Sequence, residues 1–163
     1  MKTEVMKFMG AVGGLVDYNK EPKEKLFERI LARKPFSDEE YREFYEDGAL
    51  AQNGQLTIDG LVDRLYFSTQ DWIDLELAGF DVMGAIQAIH ANNALKYTTN
   101  VTTVRGWLEE LQENTGLDKW YICSSVYQGT TYHCLKDKVT NKVCKYWDFP
   151  TVDLSPFVPE RYK

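Results

Sequence analysis

The period of the hydrophobic pattern changes once along the chain, near Lys119, and this change limits the fold class. Before Lys119, apolar residues recur at helical spacing, most regularly in the stripe from Val104 to Leu111. After it, the segment from Trp120 to Tyr127 alternates and is rich in strand-forming residues. The sequence therefore predicts an α+β protein with an acidic helical N-terminal part, followed by a helix packed on a three-stranded antiparallel meander.

A tight hairpin is predicted within the second part. Gln128-Gly129 can form a two-residue turn, because glycine accepts the positive φ that such turns require. If Tyr127 pairs with Thr130, the resulting register places Cys123 opposite Cys134.

The third strand of this sheet is predicted over Val143–Phe149. The helix over residues 102–115 is expected to pack on the face that carries Trp120, Ile122 and Val126. The tail from Pro150 contains several prolines and is expected to be extended.

Local start and stop signals divide the N-terminal part into short helices. Pro35 is expected to end a helix over residues 22–34, and Ser37–Glu40 resembles a capping box that begins another. Ser68–Asp71 reads as a second cap, which begins a helix ended by Gly79. Two more helices are predicted, one over residues 82–95 and one capped by Thr102 or Thr103 and ended by Gly116.

The change of period also gives the predicted domain organisation. We expect a mostly helical acidic region over residues 1–98 and a helix-plus-sheet region over residues 99–163, which could also form one continuous domain. With 163 residues, the chain can bury a core without disulfides. No apolar run approaches the roughly 18 residues of a membrane helix, and three cysteines suit a reducing compartment, so we expect a cytoplasmic protein with no membrane association.

Negative charge is concentrated in one part of the chain, between Phe36 and Asp81. This segment has twelve acidic residues and two basic ones, whereas residues 1–35 have eight basic and five acidic residues. Residues 82–163 are close to balanced, with nine basic and eight acidic residues. A field of one sign attracts a basic protein surface or a metal ion, and it repels nucleic acid and membrane surfaces.

The first functional hypothesis is a small acidic inhibitor that blocks a basic, nucleic-acid-binding surface of a partner protein such as a nuclease. Acids three or four residues apart on a helix lie roughly 5–6 Å apart, which approaches the spacing of DNA phosphates, about 3.4 Å along each strand. Anti-CRISPR and anti-restriction proteins of phages and mobile elements, and immunity proteins against nuclease toxins, belong to this physical class. The predicted partner-binding residues are Glu39, Glu43, Glu46, Asp47, Asp59, Asp63, Asp71 and Asp74, with the aromatic anchors Tyr41, Tyr45, Tyr66 and Trp72.

An enzymatic alternative uses some of the same acids. Glu39-Glu40-x-x-Glu43 and Asp71-x-x-Asp74 form an E-E-x-x-E and a D-x-x-D pattern. This pattern resembles that of the all-α nucleoside triphosphate pyrophosphohydrolases. The resemblance implies that these carboxylates hold magnesium ions for attack on a phosphoanhydride, a role that suits hard oxygen ligands. A third interpretation is an acidic surface that serves only solubility.

The cysteines are a weaker candidate for a site. Cys123, Cys134 and Cys144 are the only thiols, and thiolates suit zinc. Their spacing matches no zinc knuckle, so small thiols in a sheet are the expected structure, with zinc or a disulfide as alternatives. We therefore predict no cofactor.

Overall fold

The structure, a computed structural model, describes all residues from Met1 to Lys163 and confirms the α+β class. It has five α-helices and one three-stranded antiparallel sheet. The helices are α1 (Lys2–Ala11), α2 (Glu24–Arg42), α3 (Gly54–Leu77), α4 (Val82–Ala94) and α5 (Val101–Thr115). The strands are β1 (Tyr97–Thr98), β2 (Trp120–Tyr127) and β3 (Thr130–Asp137).

The chain forms two compact units, which are described separately. The first unit contains Met1–Val82 together with the tail Ser155–Lys163, and the second contains Met83–Leu154. The sequence placed the boundary at residues 98 and 99 and assigned the tail to the second region. The tail belongs to the first unit because Arg161 donates hydrogen bonds to the backbone oxygens of Tyr18 and Glu21, at 2.5 and 2.8 Å.

The sequence predicted that a helix ends at Pro35, but α2 does not end there. It continues through Pro35 to Arg42 and is followed by a π-helix over Glu43–Leu50. Contacts on both sides of the proline hold it: Leu26 is buried before it, and after it Phe36 stacks on Phe67 with ring centroids 6.1 Å apart. Tertiary packing therefore outweighs the cost of a proline inside a helix.

Helix α3 is also continuous, whereas the sequence predicted a break at Ser68–Asp71. The Thr69 hydroxyl donates a 2.7 Å hydrogen bond to the Leu65 carbonyl, four residues back, and so does not act as a cap. The helix is capped by Asn53, whose side chain accepts hydrogen bonds from the backbone amides of Gln55 and Leu56. Gly79 follows its end with a φ of 91°, which agrees with the predicted stop.

Apolar contacts among α1, α2, α3 and the tail form the core of the first unit. One buried cluster contains Val5, Met9 and Ile73. A second contains Tyr18, Leu26 and Ala78, and the ring of Tyr162 packs beside it. The tail was predicted to be extended, but it contains two short 3-10 helices, Ser155–Phe157 and Glu160–Tyr162.

The hairpin of the second unit has the predicted register. Tyr127 pairs with Thr130 and Cys123 with Cys134. The sheet order is β1-β3-β2, so the third strand is Tyr97–Thr98 and the prediction of Val143–Phe149 is wrong. Only Val143 of that segment pairs with the sheet, through a single bridge to Lys136.

The segment after Val143 packs on α5 and not along the sheet edge. The ring of Tyr146 stacks on Trp107 of α5 with centroids 4.8 Å apart. Helix α5 is capped by Asn100, two residues before the nearer predicted cap, and ends at Gly116 with a φ of 67°.

The core of the second unit lies between α5 and one face of the sheet. Its buried members are Val104 and Leu111 of α5 with Trp120 and Leu135 of the strands. Val126, which was expected in this layer, is 71% exposed because α5 does not extend over the turn end of the hairpin.

Candidate functional site

Five carboxylates from α2, the π-helix and α3 lie close together on the first unit, and we call them the acidic cluster. The members are Glu39, Glu40, Glu43, Asp59 and Asp63. No salt bridge in the structure includes any of the five. No cation is therefore paired with the cluster. Glu46, which is exposed on the π-helix, also forms no salt bridge.

Two buried glycines bring the two helical segments that carry the cluster into contact. A Cβ at Gly60 of α3 would lie 2.8 Å from the Phe44 amide nitrogen and 3.1 Å from the Glu40 carbonyl oxygen. A Cβ at Gly48 would lie 2.7 Å from the Thr57 amide nitrogen. The backbones approach so closely only because these side chains are absent.

The other four acids of the cluster all act on the pKa of Glu40. Its Oε2 atom is buried and has no hydrogen-bond partner. Burial raises the pKa of Glu40, and the charges of Asp63, Glu43, Glu39 and Asp59, in decreasing order, raise it further. The folded protein therefore resists ionisation of this carboxyl group more than the unfolded chain does.

We expect Glu40→Gln to stabilise the protein at neutral pH. The raised pKa means that ionised Glu40 favours the folded state less than protonated Glu40 does, so stability is lost as pH rises through the folded pKa. The variant should melt roughly 1–2 °C higher at pH near 7, because like-charge pairs each cost a few tenths of a kcal/mol. The difference should disappear as pH falls below the ordinary glutamate value.

Thermal melts over a series of pH values test this expectation. Glu110→Gln, at an exposed position on α5 outside the cluster, is the control and should show no such pH dependence. A melting temperature of Glu40→Gln that stays at or below the wild-type value at neutral pH would contradict the expectation.

The D-x-x-D acids are paired with arginine, in contrast to the acidic cluster. Asp74 is fully buried, and Arg33 binds it through Nη2 while donating from Nη1 to Asp71 Oδ1 at 2.5 Å. Arg29 Nε lies 3.4 Å from Asp74 Oδ2. Burial raises the pKa of Asp71, and Arg33 opposes this effect. Asp74 therefore presents no charge at the surface.

The other predicted partner-binding residues differ in how freely they are exposed. Asp47 is paired with Arg42 at 2.7 Å. Trp72 donates a 2.5 Å hydrogen bond to Glu76 and lies under the ammonium group of Lys2. Tyr66 is half-buried, with its ring 5.6 Å from that of Phe8.

Tyr41 and Tyr45 remain largely exposed near the acidic cluster. Their rings are 4.6 Å apart, and the Arg64 guanidinium lies 5.2 and 5.4 Å from their centroids. Arg64 thus stacks on aromatic rings and does not pair with a carboxylate of the cluster.

An apolar stripe on α3 lies beside the acids. Ile58 and Val62, which alternate with Asp59 and Asp63 along the helix, are 56% and 49% exposed. Leu61 and Leu65 continue the stripe at helical spacing and are also exposed. Amphipathic helices normally bury such a stripe, so this face of α3 is available to a binding partner.

Two of the three cysteines lie on neighbouring strands of the sheet, in the predicted register. Cys123 and Cys134 are opposite each other, and all three cysteines are free and half-buried. Burial raises the pKa of Cys134 and of Cys144, which lowers their thiolate content. No group of three or more His, Cys, Asp or Glu side chains is arranged to hold a metal ion.

Comparison with protein-family models, curated proteins and solved structures gives no match for this chain. None of its helices has the combination of length and apolar character that a membrane crossing requires.

Proposed function

We propose that this chain is a non-enzymatic binding protein that blocks a basic, nucleic-acid-binding surface of a partner protein. The observation that carries the proposal is the convergence of Glu39, Glu40, Glu43, Asp59 and Asp63 with no cation paired to them. Keeping these charges together opposes folding, because like charges repel in the folded state. Such a cost is explained if the field serves recognition.

The two-helix origin of the cluster supports nucleic-acid mimicry. Within α3, Asp59 and Asp63 are four residues apart, so they are about 5–6 Å from each other. Carboxylates of α2 lie alongside, which gives a two-row distribution of negative charge. A groove that binds a phosphate backbone is basic and would attract this surface through the same long-range field.

The exposed apolar and aromatic residues near the acidic cluster can supply binding affinity, which charge alone does not. Charged groups at an interface mainly raise the association rate and the specificity, whereas buried aromatic and aliphatic anchors contribute most of the affinity. Ile58, Val62, Tyr41 and Tyr45 are exposed next to the acids and can fill this role. The proposed class includes anti-restriction, anti-CRISPR and nuclease-immunity inhibitors.

The magnesium-dependent hydrolase has less support. Its metal site would require Asp71 and Asp74 to face the same space as Glu39, Glu40 and Glu43. Arg33 instead binds both aspartates, and Asp74 is fully buried. A guanidinium that is already paired with both carboxylates competes with any other cation for them.

The proposal is tested by amide substitution of Glu39, Glu43, Asp59 and Asp63, which removes four charges and keeps the side-chain shapes. The matched control makes the same change at exposed acids of the second unit: Glu109, Glu110, Glu113 and Asp148. Each immobilised protein is used to capture proteins from a bacterial lysate at about 50 mM and about 500 mM salt, a range over which surface charges become screened.

We expect the wild type and the control to retain a nucleic-acid-binding protein at low salt and release it at high salt. The variant that lacks the four charges should stay folded and should retain at least tenfold less of it, a loss of about 1.4 kcal/mol or more. A duplex oligonucleotide should compete with the wild type for the captured protein. Equal capture by the four-charge variant, or capture of no such protein by the wild type, would refute the proposal.

A further inference from the structure

The face of the sheet that α5 does not cover forms a cleft within the second unit. Strand alternation directs every second residue of β2 and β3 to this face. The side chains that define it are Cys123, Ser125 and Tyr127 of β2 with Tyr132, Cys134 and Lys136 of β3. Tyr97 and Val143, each paired with β3, form its edge.

The size and lining of the cleft suit a small organic ligand. Its volume is about 490 Å³, within the range of roughly 300–1,000 Å³ that is typical of ligand sites. Three tyrosines contribute to its lining, and Tyr97 meets Tyr132 edge-on with centroids 5.6 Å apart. Tyr127 is 64% exposed, so its ring is available for stacking.

Lys136 provides a single positive charge at this site. It forms no salt bridge, whereas Lys138 pairs with Asp118 at 2.7 Å and Lys145 lies over the ring of Phe149. Its ammonium group is close enough to Cys134 to lower the pKa of that thiol, against the larger effect of burial. One unpaired cation beside aromatic rings is complementary to one anionic group on an aromatic ligand.

We propose that this cleft binds a small planar aromatic molecule that carries one anionic group. The ring stacks among Tyr97, Tyr127 and Tyr132, and the polarisable thiols of Cys123 and Cys134 lie at the floor. The anionic group pairs with the Lys136 ammonium. A nucleic acid strand fits less well, because residues 83–154 have seven basic and seven acidic residues and so lack a net positive field.

A set of matched probes tests the ligand chemistry on the full chain. Naphthoate has the ring and the charge, naphthamide has the ring alone, and cyclohexanecarboxylate has the charge alone. Binding is followed by two-dimensional amide NMR, which also shows whether shifts map to the strands that carry Tyr127 and Tyr132. Adenosine monophosphate and a short oligothymidylate test whether the anion is a phosphate and whether a nucleic acid strand is preferred.

We expect saturable shifts at the cleft, with naphthoate bound more tightly than either naphthamide or cyclohexanecarboxylate. Lys136→Gln should weaken naphthoate binding about fivefold and leave naphthamide unchanged, as expected for one partly exposed ion pair. Lys142→Gln, in the following turn and outside the cleft, should bind naphthoate like the wild type. Tyr127→Ser, at an exposed position, should weaken both aromatic probes without unfolding the protein.

Three results would overturn the proposal. One is the absence of shifts at the cleft with naphthoate and with adenosine monophosphate at millimolar concentration. Another is equal affinity for naphthoate and naphthamide, which would remove the role of Lys136. The third is tighter binding of oligothymidylate than of either small anion, which would identify a nucleic acid platform. None of these results bears on the acidic cluster of the first unit.

Discussion

Replacement of Asp74 by Ala should lower the free energy of unfolding of the first unit by about 3–5 kcal/mol, the usual effect of removing one partner of a buried ion pair. Asp74 is fully buried on α3, and the guanidinium groups of Arg33 and Arg29 are its partners. Loss of the carboxylate would leave Arg29 without a counter-charge next to an apolar core, and Arg33 with Asp71 as its only carboxylate partner. This is the largest stability effect that we expect from one substitution in the chain.

The surroundings of Asp74 explain why no neighbour can compensate. Arg29 is already directed to the Gly14 carbonyl oxygen at 2.5 Å, and Arg33 to Asp71 at the same distance. The hydroxyl of Tyr18 is buried without a hydrogen-bond partner, and its pKa is raised by burial and by Asp74. The substitution would thus disturb contacts that join α2, α3 and the segment after α1.

Urea denaturation followed by circular dichroism measures the effect, with two further variants for comparison. Asp74→Asn keeps the shape and loses the charge, so it should fall between the wild type and Asp74→Ala. Asp38→Ala removes an exposed carboxylate that pairs with Lys34 one turn away, and it should change the unfolding free energy by no more than about 0.5 kcal/mol. Similar midpoints for Asp74→Ala and Asp38→Ala would show that the buried pair contributes little.

The parts of the fold that were predicted correctly depend on short-range signals. The register that pairs Cys123 with Cys134 follows from the two-residue turn at Gln128-Gly129, because a hairpin aligns its strands from the turn outward. The stripe from Val104 to Leu111 predicted α5 because one regular face is buried. In both cases, the residues within the segment are enough to predict its structure.

The predictions that failed involve residues distant in sequence. Pro35 and Ser68–Asp71 carry ordinary local signals for helix ends, but contacts between α2 and α3 keep both helices continuous. The third strand is two residues long, too short for an alternating pattern to reveal it. Its pairing partner Cys134 is more than thirty residues away from Tyr97.

The acidic site could be predicted only within each helix. Spacing alone places Glu39 near Glu43 and Asp59 near Asp63. It does not show that the two pairs meet, nor that Asp71 and Asp74 are neutralised by Arg33, which is 38 and 41 residues away from them. In sequence, all of these acids look equally free, so their difference in role depends on tertiary structure.

The second large effect on stability is expected for Gly60→Ala, because Gly60 lies where α3 contacts the segment that carries Glu40. In an exposed helix interior this change adds about 1 kcal/mol of stability, because alanine is the better helix former. At Gly60 the new Cβ would lie 2.8 Å from the Phe44 amide nitrogen, and backbone atoms cannot rotate away as a side chain does. The sign should therefore reverse, with a net loss of about 1–3 kcal/mol.

Gly106→Ala on α5 is the matched control, because nothing lies within 4 Å of its added Cβ and its φ is negative. Urea denaturation should show Gly106→Ala at or above the wild-type stability and Gly60→Ala below it. The separation of α2 from α3 should also lower the pKa of Glu40 toward its ordinary value, because Asp59 and Asp63 move away from it. If Gly60→Ala were as stable as Gly106→Ala, the close approach of the backbones at Gly60 would not be what brings the acids of α2 and α3 together. Another contact would then have to hold the acidic cluster.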